Sequence, residues 1–306
     1  MWLKFGVSPD GELKEVDEVK AGKTNLTCLY CGGNLTAKKG KVKQHHFAHT
    51  NETCKPVTAR IKAKSFPSLP LYDKFNIQLP GEQLEQLKVL WQNYGAVNLA
   101  IPRDVVNFSW ILKNLLRMSS DSSCYFTDLG QIPVGALPLA LFNKVQEPLL
   151  LSEFAKYERA AQVAQAASFS CLDERLADYR IYCAQLRRIL LNFLYFLQVK
   201  ADNKTFYKIG ITTRSIDERI VEVQRDLRQH YPDAIVNLLG LWQHRGNVEL
   251  YFKYRYKPFN YRIGTLTEYF QFPDVKAVLQ DLSQMEPKVL SQVELEIVSD
   301  TTQQLN

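Results

Sequence analysis

Two hydrophobic rhythms divide the chain. Near the N-terminus and again after Leu191, short apolar runs are broken by polar turns, as in strands; between them apolar positions recur at helical spacing. "WLKFGV" and "LKEVDEV" predict paired strands around the turn Pro9-Asp10-Gly11. Prolines 67 and 70 in "SFPSLPLYDKF" mark a boundary. Beyond it, Leu84, Leu87, Leu90, Trp91 and Tyr94 predict one helix and residues 104–118 a second; "FTDLGQIPVGALPLALF" reads as loop and short extended pieces, and 151–191 as largely helical. "FLYFLQV", the turn "ADNK" and "TFYKIGIT" then predict an antiparallel hairpin, with Gly210 where a strand bends or admits a close neighbour. Ser215 to Glu218 spell a capping box, opening a helix that buries Ile216, Ile220, Val223 and Leu227. A strand "AIVNLLGLW", a helix containing Glu249, a final helix past Phe272 and a loose acidic tail complete the pattern.

At 306 residues the chain is long enough for two or three units. Its longest apolar runs are too short to cross a bilayer and no signal pattern opens it, so a cytoplasmic protein without a membrane partner is expected. The net charge of +6 is concentrated: from Thr24 to Lys64 eight basic residues face one acid. Such a patch favours a polyanion, with Lys38, Lys39, Lys41 and Lys43 as candidate phosphate contacts.

Half of the six cysteines fall in "CLYCGGNLTAKKGKVKQHHFAHTNETC", residues 28–54. A Cys-x-x-Cys pair followed by glycines forms a knuckle that aims two thiolates at one point, and a second pair of ligands closes a tetrahedron around zinc. Cys28 and Cys31 supply the first pair; two of His46, His49 and Cys54 supply the second, His49 being the preferred histidine. If "HHFAH" starts as a strand, Phe47 points into a small core. Cys124, Cys171 and Cys183 read as small core residues.

Cys-x-x-Cys, a lysine-glycine turn and His-Phe-Ala-His resemble the N-terminal zinc-ribbon-like segment of competence protein CoiA-like proteins. That likeness covers about forty residues and implies nucleic-acid work, because such segments are often coupled to a nuclease domain.

An arginine at position 219, in the first turn of a helix and beside a tyrosine-bearing strand, suits phosphate binding: its guanidinium forks onto two oxygens and the helix start adds positive charge. The order of aromatic strand, strand ending in Lys208-Ile209-Gly210, helix with Arg219, strand, helix with Glu249 and closing Glu268-Tyr269-Phe270 resembles the GIY-YIG nuclease superfamily, closest to its divergent phage and fungal DNA-binding branch. The resemblance covers residues 193–272 and implies catalytic roles. Tyr195, or by strict registration Phe196, would assist the attacking water; Lys208 stands where the second motif has tyrosine, with Tyr207 beside it; Arg219 would neutralise charge on the phosphate; and Glu249 would hold one Mg²⁺ or Mn²⁺. His230, late on the same helix, is a further proton-transfer candidate. Lys253, Arg255, Lys257 and Arg262, interleaved with Tyr251, Tyr254, Tyr256, Phe259 and Tyr261, offer a nucleic-acid surface.

The expected fold is therefore α+β and multidomain: a zinc-ribbon-like module (1–64), a mainly helical spacer (65–190), a GIY-YIG-like small antiparallel sheet flanked by helices (191–285) and an acidic tail (286–306). The expected function is a metal-dependent DNA endonuclease acting on double-stranded or branched DNA, with structural Zn²⁺ and catalytic Mg²⁺ or Mn²⁺. The alternative is a DNA-binding regulator that has lost catalysis; a zinc-stabilised protein-interaction factor is a weaker third reading, and homo-oligomerisation stays open.

Overall fold

The computed structural model describes residues 2–40 and 42–299; Lys41 and positions 300–306, the end of the predicted tail, lie outside them. In chain order, the N-terminal segment forms β1 (Phe5–Val7), β2 (Leu13–Glu15), β3 (Gly22–Thr27), β4 (Asn34–Lys38), β5 (His46–His49) and α1 (Lys55–Ala63). The middle forms α2 (Gly81–Asn93), α3 (Phe108–Leu112), β6 (Leu116–Met118), β7 (Cys124–Phe126), α4 (Asp128–Gln131), α5 (Leu139–Ala166) and α6 (Leu172–Leu191). Then come β8 (Phe193–Ala201), β9 (Lys204–Thr212), α7 (Ile216–Arg228), β10 (Ile235–Gln243), α8 (Val248–Arg255), β11 (Asn260–Ile263), β12 (Leu266–Phe270), α9 (Val275–Ser283) and α10 (Gln292–Val298).

The chain divides into two units. One comprises the residues up to Leu69 together with Leu150–Arg187; the other comprises Pro70–Leu149 and Arg188–Val298. Residues 65–190, read from sequence as a single spacer, thus divide between the two, with boundaries falling inside α5 and α6. Among the described residues no helix is long and apolar enough to cross a membrane.

In the first unit the antiparallel sheet has the order β2-β1-β3-β4-β5. Strand alternation sends Leu35, Ala37 and Phe47 into a core shared with Leu26, Val57, Ala177 and Ile181, and leaves Thr36, Lys38, His46 and Ala48 on the other face. A buried polar network joins three elements of this unit. The Tyr30 hydroxyl donates to Asp178 at 2.7 Å, and Arg60 forks onto the same carboxylate at 3.0 and 2.7 Å while its guanidinium lies 4.5 Å from the Tyr30 ring centroid. Burial disfavours the Arg60 charge, but Asp178 and Glu174 more than restore it, so its pKa is raised.

The second unit is built on a sheet of order β10-β8-β9-β12-β11. Asp202 and Asn203, both at positive φ (47° and 58°), make the tight turn that pairs β8 with β9 from Ala201↔Lys204 to Phe193↔Thr212. One face carries Leu194, Phe196, Tyr207 and Ile209 against Val248, Tyr251 and Phe252 of α8 and Phe142 of α5. The opposite face carries Tyr195, Leu197, Val199 and Phe206 against Val223 and Leu227 of α7.

Three expectations are corrected. The helix over 104–118 shrinks to Phe108–Leu112, because Asn107 caps its start through the Ser109 N–H and Asn114, at φ 56°, ends it; Leu116–Met118 then pairs with Cys124–Phe126. The loop reading of 126–142 gives way to α4 and the first turn of α5, where Asp281 accepts the Leu139 N–H at 2.8 Å directly after Pro138. Part of the tail is held: Lys288 bridges Glu147 and Glu294, and Glu294 is buried at the start of α10.

Candidate functional site

The first site grows from the knuckle. Cys28 N–H donates to Gly33 O and Gly32 N–H to Cys28 O, each at 2.8 Å, and Gly32 adopts φ 69°, a conformation that favours glycine. The turn brings Cys28 and Cys31 beside His49, the last residue of β5, and Cys54, the residue before α1. The four ligand atoms lie within 4.8 Å of one another, and Cys31 Sγ is 3.2 Å from His49 Nε2. Tetrahedral zinc with thiolate ligands separates its donors by about 3.8 Å, so three sulfurs and one imidazole in this cluster fit the ion. Burial lowers the His49 pKa, which keeps the imidazole in its neutral, ligating form. Burial also pushes the Cys28 thiol up to about 12, a shift that a bound dication would reverse.

The five candidate ligands are thereby reduced to four. His46 and His49 are three positions apart on one strand and so face opposite sides of the sheet. His46 stacks on Trp2 at 4.6 Å, its Nδ1 2.8 Å from Gln44 O.

The second site lies on β8 and β9. The register pairs Tyr195 with Gly210 and Leu197 with Lys208, so Tyr195, Gly210 and Lys208 share one face. Arg219, in the first turn of α7, donates from Nε to the Tyr195 hydroxyl at 3.0 Å and from Nη1 to Glu222 at 2.8 Å; Arg214 grips the same Glu222. Ser215 caps α7 through the Asp217 N–H. Burial raises the Tyr195 pKa, Arg219 opposes that shift, and the charge of Glu249 adds to it.

Glu249 lies on α8, which packs on the face of the sheet opposite Tyr195; its charge acts on the Tyr195 phenol and a chain of ion pairs links it to Lys208. The start of α8 is fixed by Asn247, whose buried amide donates to Asn143 at 2.7 Å and Gln146 at 2.9 Å. Glu249 pairs with Lys253 at 2.9 Å, Lys253 with Glu268 at 2.7 Å, and Glu268 with Lys208 at 2.7 Å. Lys208 is nearly enclosed and its ammonium lies 5.0 Å from the Tyr269 ring centroid. Burial lowers its pKa against the pull of Glu268. For Glu268, burial opposes ionisation, but Lys208 and Lys253 outweigh it and hold the carboxyl at about 2.

Residues 11–56 match the protein-family model described as Competence protein CoiA, N-terminal domain. Residues 192–286 match the T5orf172 domain. The first match contains all four zinc-type donors; the second contains Tyr195, Lys208, Arg219, Glu249 and Glu268. Both point to nucleic-acid-related work. The searches of curated proteins and of solved structures gave no match.

The remaining predicted residues are dispersed. Tyr207 and Phe196 stack on each other at 5.6 Å on the face opposite Tyr195, packed in the apolar core. Of the C-terminal cations, Lys253 is held between two carboxylates and Arg255 binds Asp281 and the Gly135 carbonyl, each at 3.0 Å; only Lys257 and Arg262 are exposed. Tyr251 and Tyr254 are likewise committed to packing and to backbone carbonyls. His230, expected late on the Arg219 helix, lies beyond the end of α7 at Arg228 and packs over Gly264. Lys38 and Lys43 are exposed, Lys39 donates to the Asp17 carbonyl at 3.1 Å, and Lys41 lies outside the described residues.

Sequence reading missed the residues that set the charge balance. Glu268 was visible only as part of a closing triplet, and Glu222 was not singled out. Tyr72 and Arg188, both within the field of Glu249, carried no signal, because nothing local ties them to a residue so far along the chain.

Proposed function

We propose that the protein is a metal-dependent DNA endonuclease of GIY-YIG type, in which the zinc-binding module engages nucleic acid and the C-terminal sheet carries the phosphodiester hydrolysis. The observation that carries this reading is the 3.0 Å hydrogen bond from Arg219 Nε to the Tyr195 hydroxyl, whose ring lies across the paired Gly210. The phenol oxygen accepts the guanidinium N–H and Tyr195 is itself 1% exposed, so it would act by orienting Arg219, whose side chain is about a quarter exposed and would be the group that meets a phosphate oxygen. Arg219, with positive charge fixed by Tyr195 and Glu222, would meet the charge that grows on the phosphoryl oxygens as water adds and the leaving oxygen departs. Lys208, nearly enclosed and paired with Glu268, would stand in the tyrosine's place as a buried charge behind the Tyr195–Arg219 pair and not as a phosphate contact. The Glu249 carboxylate is a hard oxygen donor suited to Mg²⁺ or Mn²⁺, completed by water and phosphate. When bound, that ion supplies Lewis-acid stabilisation of the leaving oxygen.

Incubation of purified protein with plasmid and Mg²⁺ or Mn²⁺ tests the proposal. Nicking that falls by at least about 100-fold in Arg219→Ala and in Glu249→Gln supports it. Nicking that survives the double substitution refutes the assignment.

A second reading, DNA binding without cleavage, is favoured by one specific observation: Lys253 occupies the Glu249 carboxylate at 2.9 Å. Salt-sensitive binding with no nicking in either metal selects it.

A further inference from the structure

The face of the N-terminal sheet turned away from its core is neither flat nor featureless. Trp2 and His46 form a stacked pair there, ring centroids 4.6 Å apart and planes at 29°. They floor a cavity of about 730 Å³ whose other walls include Thr36, Lys38, Val42 and Lys43. The cause is the alternation that sorts the strand: the register pairs Lys38 with His46 and Thr36 with Ala48, all on the side opposite Phe47 and the metal ligand His49. Val42, at the rim, is 97% exposed. The cavity wall is thus aromatic and apolar, while the ammonium groups of Lys38 and Lys43 stand at exposed positions around it.

We infer that this cavity is a binding site for an unpaired nucleotide of a single-stranded polynucleotide. An aromatic floor flanked by exposed lysines, here Lys38 and Lys43, is the arrangement that holds single strands: the base stacks on the indole, and flanking phosphates meet the cations. A base inside an intact duplex is already stacked on both sides and does not offer that face. Charge selects the occupant as well. Among the described residues no acidic one lines the cavity, Lys38 and Lys43 stand exposed at its edge, and an apolar peptide would leave those two lysines unpartnered. The site sits in the same module as the cysteine-histidine cluster but on the other face of β5, so occupation of one does not require a ligand atom of the other.

The inference rests on the nucleic-acid reading proposed above and narrows its substrate toward DNA or RNA with an unpaired stretch, such as a flap, a gap or a branch. Fluorescence anisotropy of the full chain, loaded with zinc, tests it. The probes are labelled oligothymidylate and oligouridylate of about 15 nucleotides and a blunt duplex of the same length. Trp2→Ala is expected to weaken binding of a single strand by roughly tenfold and to leave the duplex within about twofold. Lys38→Ala/Lys43→Ala is expected to weaken every probe that the intact chain binds and to lower the salt slope. Which of the two single strands responds distinguishes DNA from RNA. Trp2→Phe, which keeps an aromatic face, should restore most of the affinity, and zinc content equal to the parent shows that each variant is folded. Single-strand binding unchanged in Trp2→Ala overturns the inference while leaving the proposed function standing. Absence of binding to all three probes at low salt overturns both.

Discussion

The Tyr195 phenol lies across Gly210: a methyl group placed on that glycine would come within 2.3 Å of the hydroxyl oxygen and 2.5 Å of the ring carbon that bears it. The absence of a side chain at position 210 therefore lets the tyrosine lie over its cross-strand neighbour and reach Arg219.

From this contact, Gly210→Ala should displace the ring and cost about 1–3 kcal/mol, as overpacking of a buried site does. Urea unfolding checks the cause. In a Tyr195→Ala background the same substitution should cost far less, and equal costs in both backgrounds would show that the tyrosine is not what the methyl group meets.

The two histidines of β5 should separate cleanly. His49→Ala removes a donor from the four-atom cluster and should reduce zinc content from about one ion per chain to a small fraction, together with loss of ordered N-terminal sheet. His46→Ala should retain the metal. Elemental analysis after dialysis against a mild chelator measures both.

Asp178 is the hub of the buried network in the first unit, with Tyr30 and Arg60 both bound to it. Asp178→Ala leaves the Arg60 charge and the Tyr30 hydroxyl without their partner and should destabilise that unit by about 3–5 kcal/mol. The accompanying Arg60→Met change should recover a large part of the loss. Denaturant titration followed by tyrosine fluorescence reads both variants.

Glu268 predicts a dependence on pH. Its folded-state value of about 2 lies below the ordinary 4.5, so its contribution to stability is full above about pH 4.5 and is lost as the pH falls toward 2. Because the side chain is almost half exposed, solvent screening reduces the size of this effect but not its sign. Glu268→Gln should flatten the stability profile between those limits, measured by thermal melting across an acid series.

If hydrolysis depends on Glu249, Lys253 competes with the divalent ion for its carboxylate. Lys253→Met should then lower the Mn²⁺ concentration giving half-maximal nicking by up to about fivefold, the weight of a partly exposed ion pair. A rise in that concentration would show that the lysine helps the ion rather than opposing it.

The sequence determined whatever depends on near neighbours. Two apolar runs around a polar turn marked the β8–β9 hairpin, Asp202-Asn203 marked its turn, Ser215 marked the start of α7, and the Cys-x-x-Cys knuckle marked half of a cluster that can hold a metal, because each is set by residues within a few positions of one another. Tertiary structure alone chose Cys54 over His46 as the fourth donor, turned Tyr207 and Phe196 into core, tied Lys253 and Lys208 to Glu268, and made α5 begin at Leu139 under a carboxylate from α9. Those outcomes depend on which side of a sheet a residue faces and on partners far away in the chain. Long-range Coulomb and packing terms decide them, and such terms leave no periodic trace in the order of residues.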